Sequence, residues 1–219
     1  MIYSENILIC IGMPLLIAMF YARKSARYFT AACLTGMFVC LLSGYISGYI
    51  NLASGMTLEE SAVYVAPIIE EIMKLLPLLF CMFVLGLGEQ LLLNAAVAIG
   101  VGFAVFENCV YLLQAGAESL FLTLIRGLAV GVMHVVSMLL LDLGLTLMKQ
   151  FRAISVPAVV GAACLSIIFH GLYNLLVSRP GVSAWVGYCL PLLIAVLYYR
   201  FFFGVIHLDT ENPQKCDRL

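Results

Sequence analysis

Long apolar runs separated by short polar breaks dominate the chain. A membrane-spanning helix needs about 20 mainly apolar residues to cross about 30 Å of hydrocarbon. Runs near this length fall roughly at 5–22, 29–52, 60–86, 90–113, 119–148, 155–178 and 182–203. The breaks are rich in Gly, Pro, Ser and charged residues, which favour turns, and they are too short to hold a soluble domain. The pattern predicts an all-α polytopic bundle of about seven spans, forming one integral membrane domain over residues 1–219.

The amino-acid composition also indicates a membrane protein. Hydrophobic residues make up 64% of the chain, charged residues make up only 11%, and the mean hydropathy is +1.10. Such a chain cannot supply the polar surface of a soluble domain. The net charge of −1 and the absence of a basic stripe argue against a nucleic-acid partner. The lipid bilayer is therefore the expected surrounding of most of the chain.

The basic residues predict an orientation, because cytoplasmic loops near the ends of spans retain Lys and Arg. If the N-terminus is outside, only Arg179 among the loop and tail basic residues lies outside. Those on the inside are Arg23, Lys24, Arg27, Lys149, Arg152, Arg200, Lys215 and Arg218. We therefore expect the N-terminus outside and the C-terminus in the cytoplasm. The first span has no basic segment before it and is interpreted as a retained anchor.

Small residues suggest where helices pack. Gly44 and Gly48 in the second span, and Gly127 and Gly131 in the fifth, have the four-residue spacing typical of close helix contacts in membranes. The eight cysteines have no Cys-x-x-Cys spacing and are interpreted as small apolar fillers.

Two adjacent carboxylates, Glu70 and Glu71, lie inside the third span. Each costs on the order of 2.5–3.5 kcal/mol to insert, so such residues usually face a polar interior and have a function there. Lys74 follows at helical spacing and can reach either carboxylate on the same face. The pair therefore indicates either chemistry inside the bilayer or, more simply, a structural ion pair.

Further polar side chains fall on three later spans. Counting 1.5 Å per helical residue places several of them near the depth of Glu70, in the outer half of the membrane, whereas Asp142 and Asn94 lie toward the cytoplasm. A single His or Asn in a span is often only a hydrogen-bond partner between helices. Convergence at one depth nevertheless favours a site. Its candidates are Phe103, Glu107 and Asn108 in the fourth span, Arg126 and His134 in the fifth, and His170 and Asn174 in the sixth.

In this order, the motifs resemble those of the PrsW intramembrane proteases, which are related to the CAAX prenyl endopeptidases and to bacterial immunity membrane proteases. The resemblance covers about 60–178. The CAAX endopeptidases have Glu-Glu-x-x-x-Arg and Phe-x-x-x-His motifs, whereas this chain has Lys74 one position earlier and Glu107 in place of the His. The matching motifs are Glu70-Glu71-x-x-Lys74, Phe103-x-x-x-Glu107-Asn108, Arg126 with His134, and His170-Gly171-Leu172-Tyr173-Asn174.

The resemblance implies a protease of the bacterial cytoplasmic membrane that cuts membrane-anchored proteins near the extracytoplasmic face. It implies a single-span substrate, such as an anti-sigma factor receiving its first cleavage in stress signalling.

Hydrolysis of a peptide needs a base for water, a proton donor for the leaving amine and donors for the oxyanion. Glu70 or Glu71 is the candidate base. Glu107 and His134 are expected to hold the water, and His170 with Asn174 to stabilise the oxyanion. The supporting residues are Lys74, Phe103, Asn108 and Arg126.

Other chemistries use the same residues. Two His and a carboxylate form a common catalytic zinc set, here His134, His170 and either Glu71 or Glu107. There is no His-Glu-x-x-His run, and the likeness to the CAAX group favours a metal-free glutamate mechanism, so no cofactor is expected. A proton- or ion-coupled transporter would use Asp142 to extend a relay. A haem-binding electron carrier would use the two His as axial ligands.

Overall fold

The computed structural model describes residues 4–115 and 119–210, and within these ranges the chain is helical without strands. The helices are α1 (Ser4–Tyr21), α2 (Lys24–Ser54), a single turn α3 (Leu58–Glu60), α4 (Ala66–Phe83), α5 (Glu89–Ala115), α6 (Leu120–Gln150), α7 (Ser155–Val177) and α8 (Val182–Thr210). A π-helical turn (Ser61–Val65) joins α3 to α4, and a 3₁₀ turn (Arg152–Ile154) precedes α7. The all-α prediction is confirmed.

Six of the seven long helices in the described ranges are long and apolar enough to cross a membrane. The seventh is α4, which is set apart by its three charged residues, Glu70, Glu71 and Lys74. The prediction of about seven helices is confirmed. The orientation stays a prediction, and two residues that support it, Lys215 and Arg218, lie outside the described residues.

Helix α5 lies at the centre of the bundle and packs against both α2 and α6, and α7 packs against α6. The crossing of α2 and α5 is closest at Gly36 and Gly102, where an added Cβ would overlap the backbone carbonyl oxygens of Ile99 and Cys33. At Gly100 an added Cβ would lie 2.9 Å from the carbonyl oxygen of His134. Glycine therefore sets how closely α5 approaches its two neighbours.

The predicted close packing at the two four-residue glycine pairs is wrong within the described structure. A Cβ at Gly44, Gly48, Gly127 or Gly131 would meet nothing within 4 Å. The spacing places small residues on one face of each helix, but the glycines do not bring a described neighbouring helix into close contact there.

The two ends of the bundle differ. At one end of the bundle lie the first residues of α4 and α6 and the last residues of α5 and α7. We call this the site end, and we call the opposite end the far end. Toward the far end, α4, α5 and α6 bury a purely apolar cluster. This cluster consists of Leu78, Met82, Leu92, Ala96, Ile99, Met138, Leu141 and Leu145.

The turn before α4 is built from local hydrogen bonds. Thr57 and Glu60 form a capping box, in which the Thr57 side chain accepts from the Glu60 backbone N–H and the Glu60 carboxylate accepts from the Thr57 N–H. In the following π turn the five-residue donor for the Ala62 carbonyl would be Pro67, which has no N–H. The side-chain amide of Asn174 donates to that carbonyl instead, at 2.9 Å. Asn174 thereby ties α7 to the start of α4.

Candidate active site

Glu71 is the most fully bonded polar side chain of the site. One of its oxygens, Oε1, accepts from Lys74 Nζ at 2.6 Å and lies 2.7 Å from His170 Nδ1. The other, Oε2, accepts from the Ser166 hydroxyl at 2.8 Å. The side chains of Glu71 and Lys74 are both fully buried. The bonds fix this carboxylate in place, and the ammonium balances its charge.

His170 is oriented by Glu71. An ionised carboxylate only accepts hydrogen bonds, so Nδ1 of His170 carries a ring proton, and in the neutral form of the ring Nε2 has the lone pair. That second nitrogen is 3.8 Å from Glu70 Oε2. The unprotonated nitrogen of His170 therefore faces the neighbouring glutamate.

His134 bridges α4 and α5. Its Nδ1 is 3.1 Å from Lys74 Nζ, and its Nε2 is 2.5 Å from Glu107 Oε2. Because an ammonium group only donates, Nδ1 accepts and the ring proton lies on Nε2, where it is donated to Glu107. The Phe103 ring packs 4.7 Å from the His134 ring and lies 4.7 Å from the ammonium, within cation–π range. Phe103 thus supports both groups.

Glu70 differs from Glu71 in having an unbonded oxygen. Its Oε2 is buried without a hydrogen-bond partner among the described residues, and its side chain is 17% exposed, compared with 0% for Glu71. Glu70 and Glu107 both line a cavity of about 350 Å³ at the site end. Of the two adjacent glutamates in the described structure, only Glu70 lines this cavity and has an oxygen without a hydrogen-bond partner.

Comparison with known families identifies the family of the chain. Residues 22–205 match the family described as PrsW family intramembrane metalloprotease. The chain belongs to the PrsW family. No curated protein and no solved structure matches the chain. The resemblance inferred from the motifs is therefore confirmed, and the chain is a membrane-embedded peptidase.

The donor set of this PrsW family member fits a metal ion. Glu70, His134 and His170 each offer one ligand atom, and the three atoms lie within 4.8 Å of one another. The hydrogen bond from His170 Nδ1 to Glu71 is the usual support of a metal-ligating His. The carboxylate in this set is Glu70, whereas the sequence suggested Glu71 or Glu107. Lys74 opposes the fit, because its ammonium makes Nδ1 of His134 the acceptor and leaves the proton on Nε2.

Two serines of the network were not identified from the sequence. Ser137 accepts from Lys74 at 3.2 Å and donates to the His134 carbonyl at 2.9 Å. Ser166, which donates to Glu71, lies 3.2 Å from the Ser137 carbonyl. Both serines are completely buried. Their spacing to the histidines was the available signal, because Ser137 follows His134 by three residues and Ser166 precedes His170 by four.

Three predicted site residues lie outside this network. Asn174 bonds to the backbone of the π turn, as described above. Asn108 lines a separate cavity of about 690 Å³ between α5, α6 and α8. The Arg126 guanidinium lies 3.4 Å from the Tyr111 ring centroid, and among the described residues it forms no ion pair with Glu107. None of the three therefore has a hydrogen bond to the network around Glu71 in the described residues.

Proposed function

We propose that this PrsW family member hydrolyses peptide bonds in single-span membrane proteins, with Glu70 as the general base. The observation that carries the proposal is that Glu70 lines the cavity while its Oε2 has no hydrogen-bond partner among the described residues. A general base must reach a water molecule with a free lone pair. Both oxygens of Glu71 are already engaged, so its role is to hold His170 and Lys74.

Each chemical requirement then has a residue. Glu70 takes a proton from water as the water oxygen attacks the scissile carbonyl carbon. The Nε2–H of His134, which is donated to Glu107 in this structure, is the candidate donor that turns to the oxyanion when substrate is bound. When the C–N bond breaks, the proton returns from Glu70 to the leaving amine. His170 Nε2 accepts the second hydrogen of the attacking water and fixes its position.

The substrate follows from the site's depth and the family. Residues at the site end belong to the outer half of the membrane if the N-terminus is outside, so cleavage falls near the extracytoplasmic face. A substrate helix must unwind there before water can attack its backbone. An anti-sigma factor with one span, in a bacterial cytoplasmic membrane, fits these requirements.

The decisive experiment is incubation of the purified protein with a panel of single-span membrane proteins, comparing wild type with Glu70→Gln. We expect a defined cut near the extracytoplasmic end of one or more substrates, and loss of about 10³-fold or more in rate in the variant. Thermal unfolding in detergent should show that the variant stays folded. Full proteolysis by a folded Glu70→Gln protein would rule out this base, and products cut only at the cytoplasmic end would contradict the orientation.

A metal-dependent version is the second candidate, favoured by the family description and by the 4.8 Å donor set. Glu70, His134 and His170 would hold the ion, and a zinc ion bound there would acidify water and polarise the scissile carbonyl. The chain's own residues would then keep their supporting roles, with Glu71 orienting His170 and Glu107 available as the base.

Metal analysis separates the two versions. For the glutamate mechanism we expect purified protein to hold less than one zinc ion per chain and to keep its activity after chelation, because no ligand set is emptied. One tightly bound zinc per chain, with activity lost on chelation and regained with zinc, would establish the metal version. His170→Ala should abolish zinc binding in that case, which a metal titration of the variant measures directly.

The two other classes fit the structure less well. A relay across the bilayer would have to connect the site with Asp142, yet the apolar cluster of the far end occupies α4, α5 and α6 beyond the site. A haem would have to lie between His134 and His170, whose rings meet edge to face at 5.2 Å. Both rings are also hydrogen-bonded to carboxylates.

A further inference from the structure

The cavity beside the site is lined by residues of four helices. It lies between α1, α2, α4 and α5, with Glu70 and Glu107 in its wall and Gly44 of α2 in its lining. We propose that this cavity is the pocket for one substrate side chain next to the scissile bond, with Gly44 setting the size it accepts and the two glutamates setting its charge. This inference rests on the proposed function and adds the substrate preference of the same site.

The size of the cavity decides what can occupy it. At about 350 Å³ it lies at the lower limit of pockets that hold small ligands. A helix with side chains is about 10–12 Å across, so an intact substrate helix does not fit. The occupant is therefore a side chain of an unwound substrate segment, whose backbone runs past Glu70.

Gly44 leaves room that a larger residue would take. A Cβ at this position would meet nothing within 4 Å, whereas a Cβ at Gly36, two turns earlier on the same helix, would overlap backbone. Helix α2 therefore leaves α5 between these two positions and opens the space that Gly44 lines. A leucine at Gly44 would project into the pocket without displacing the fold.

Charge gives a second selection. Among the described residues, two carboxylates line the cavity and no basic side chain does. Lys74 is fully buried behind Glu71, and Arg126 is stacked on Tyr111. Like charges at close range repel more strongly in a partly buried site than in bulk water. The pocket should accept neutral or basic side chains and reject Asp and Glu.

The first test crosses enzyme and substrate variants. Once a cut is mapped, each substrate residue near it is replaced in turn by Ala, Phe, Lys, Gln and Glu, and kcat/KM is measured. At one position Glu should be cut about 10-fold or more slowly than Gln, and Lys should be cut well. With Gly44→Leu, Phe and Lys at that position should lose about 10-fold or more, while Ala is largely retained.

Gly48→Leu is the matched control. It lies one turn further along α2, its Cβ would also meet nothing within 4 Å, and it does not line the cavity. This variant should cut every substrate as wild type does. An equal effect of Gly44→Leu and Gly48→Leu, or uniform loss at all substrate positions, would overturn the pocket. A wild-type protein that cuts no membrane protein would instead overturn the proposed function.

A binding measurement checks the pocket without turnover. Cys40 lines the same cavity, one turn before Gly44. In a His170→Ala protein, which keeps both glutamates but lacks the group that fixes the attacking water, and whose other cysteines are replaced by Ser, a small thiol reagent should label Cys40. A substrate with Lys at the selected position should slow this labelling by about 10-fold, and one with Glu should not. Equal protection by both substrates, or by neither, would contradict the charge selection.

Discussion

The two ends of the bundle are built on opposite principles. At the far end, apolar side chains fill the space between α4, α5 and α6, and midway along α5 glycines bring α2 into backbone contact with it. At the site end the same helices carry carboxylates, imidazoles and an ammonium group, and α2 moves away to leave a cavity. Catalytic groups need positions fixed to within about 0.5 Å, which rigid supporting elements supply. The close-packed end is therefore the scaffold that positions the open one.

The contrast is repeated on a smaller scale in the two adjacent glutamates. Successive residues of a helix point in directions about 100° apart. Glu71 points into the interior between α6 and α7, where Lys74, Ser166 and His170 satisfy it. Glu70 points toward the cavity and keeps one oxygen free. We therefore assign Glu71 a structural role and Glu70 the role of the base.

The largest expected effect comes from breaking the scaffold on α2. Gly36→Ala places a methyl group against the backbone of Ile99 and Phe103, neither of which can move without separating the helices. We expect several kcal/mol of destabilisation, beyond the usual 1–3 kcal/mol of overpacking, and little folded protein. Folded yield and thermal unfolding in detergent measure this.

Gly48→Ala on the same helix is the control for that prediction. Its added methyl group meets nothing within 4 Å, so stability should stay the same or rise by about 0.5–1 kcal/mol, the helix advantage of Ala over Gly. Equal stability of the two variants would mean that the close crossing is not the scaffold.

The next largest effect separates the two glutamates. Glu71→Gln leaves the buried ammonium of Lys74 without its counter-charge, which costs about 3–5 kcal/mol, whereas Glu70→Gln removes no ion pair. Both variants should be inactive, but only Glu71→Gln should unfold at a markedly lower temperature.

A double variant sharpens this comparison. Glu71→Gln combined with Lys74→Met removes both charges and should recover most of the lost stability without recovering activity. If Glu70→Gln instead were the less stable single variant, the assignment of scaffold and base would have to be exchanged.

The sequence predicted the helices and the group of polar residues well, because lipid imposes strong rules. Long apolar runs mark spans, and charges inside them are rare enough to be informative. The start of the third span was less well placed. Its predicted beginning at residue 60 falls on α3, and the long helix α4 begins only at Ala66, after a π turn. Local hydrogen bonds of Thr57 and the missing N–H of Pro67 shape that turn, and hydropathy does not report them.

The division of roles was beyond the sequence. Glu70 and Glu71 precede Lys74 by four and three residues, and both spacings allow an ion pair on one helix face. Only the positions of α6 and α7 decide which glutamate is enclosed. The prediction of close packing at the two glycine pairs failed for a similar reason. Spacing shows which residues share a helix face, but it does not show which helix packs against that face. Gly36 and Gly102, which do form the close crossing, lie on different helices and have no common spacing to detect.

The smallest effect concerns Asn174, for which the sequence suggested an oxyanion donor and the structure shows a bond to the Ala62 carbonyl. If the bond is its function, Asn174→Ala should cost about 1 kcal/mol, because it leaves that carbonyl without a donor. Pro67→Ala supplies a backbone N–H to the same turn, so the cost of Asn174→Ala should shrink in that background. A double-mutant cycle of unfolding free energies measures the difference. Activity should fall only as far as the turn loosens and should recover in the double variant. A drop of about 10²-fold or more in kcat that persists with Pro67→Ala would instead restore Asn174 to the oxyanion site, since no change in the turn can replace a lost donor to the transition state.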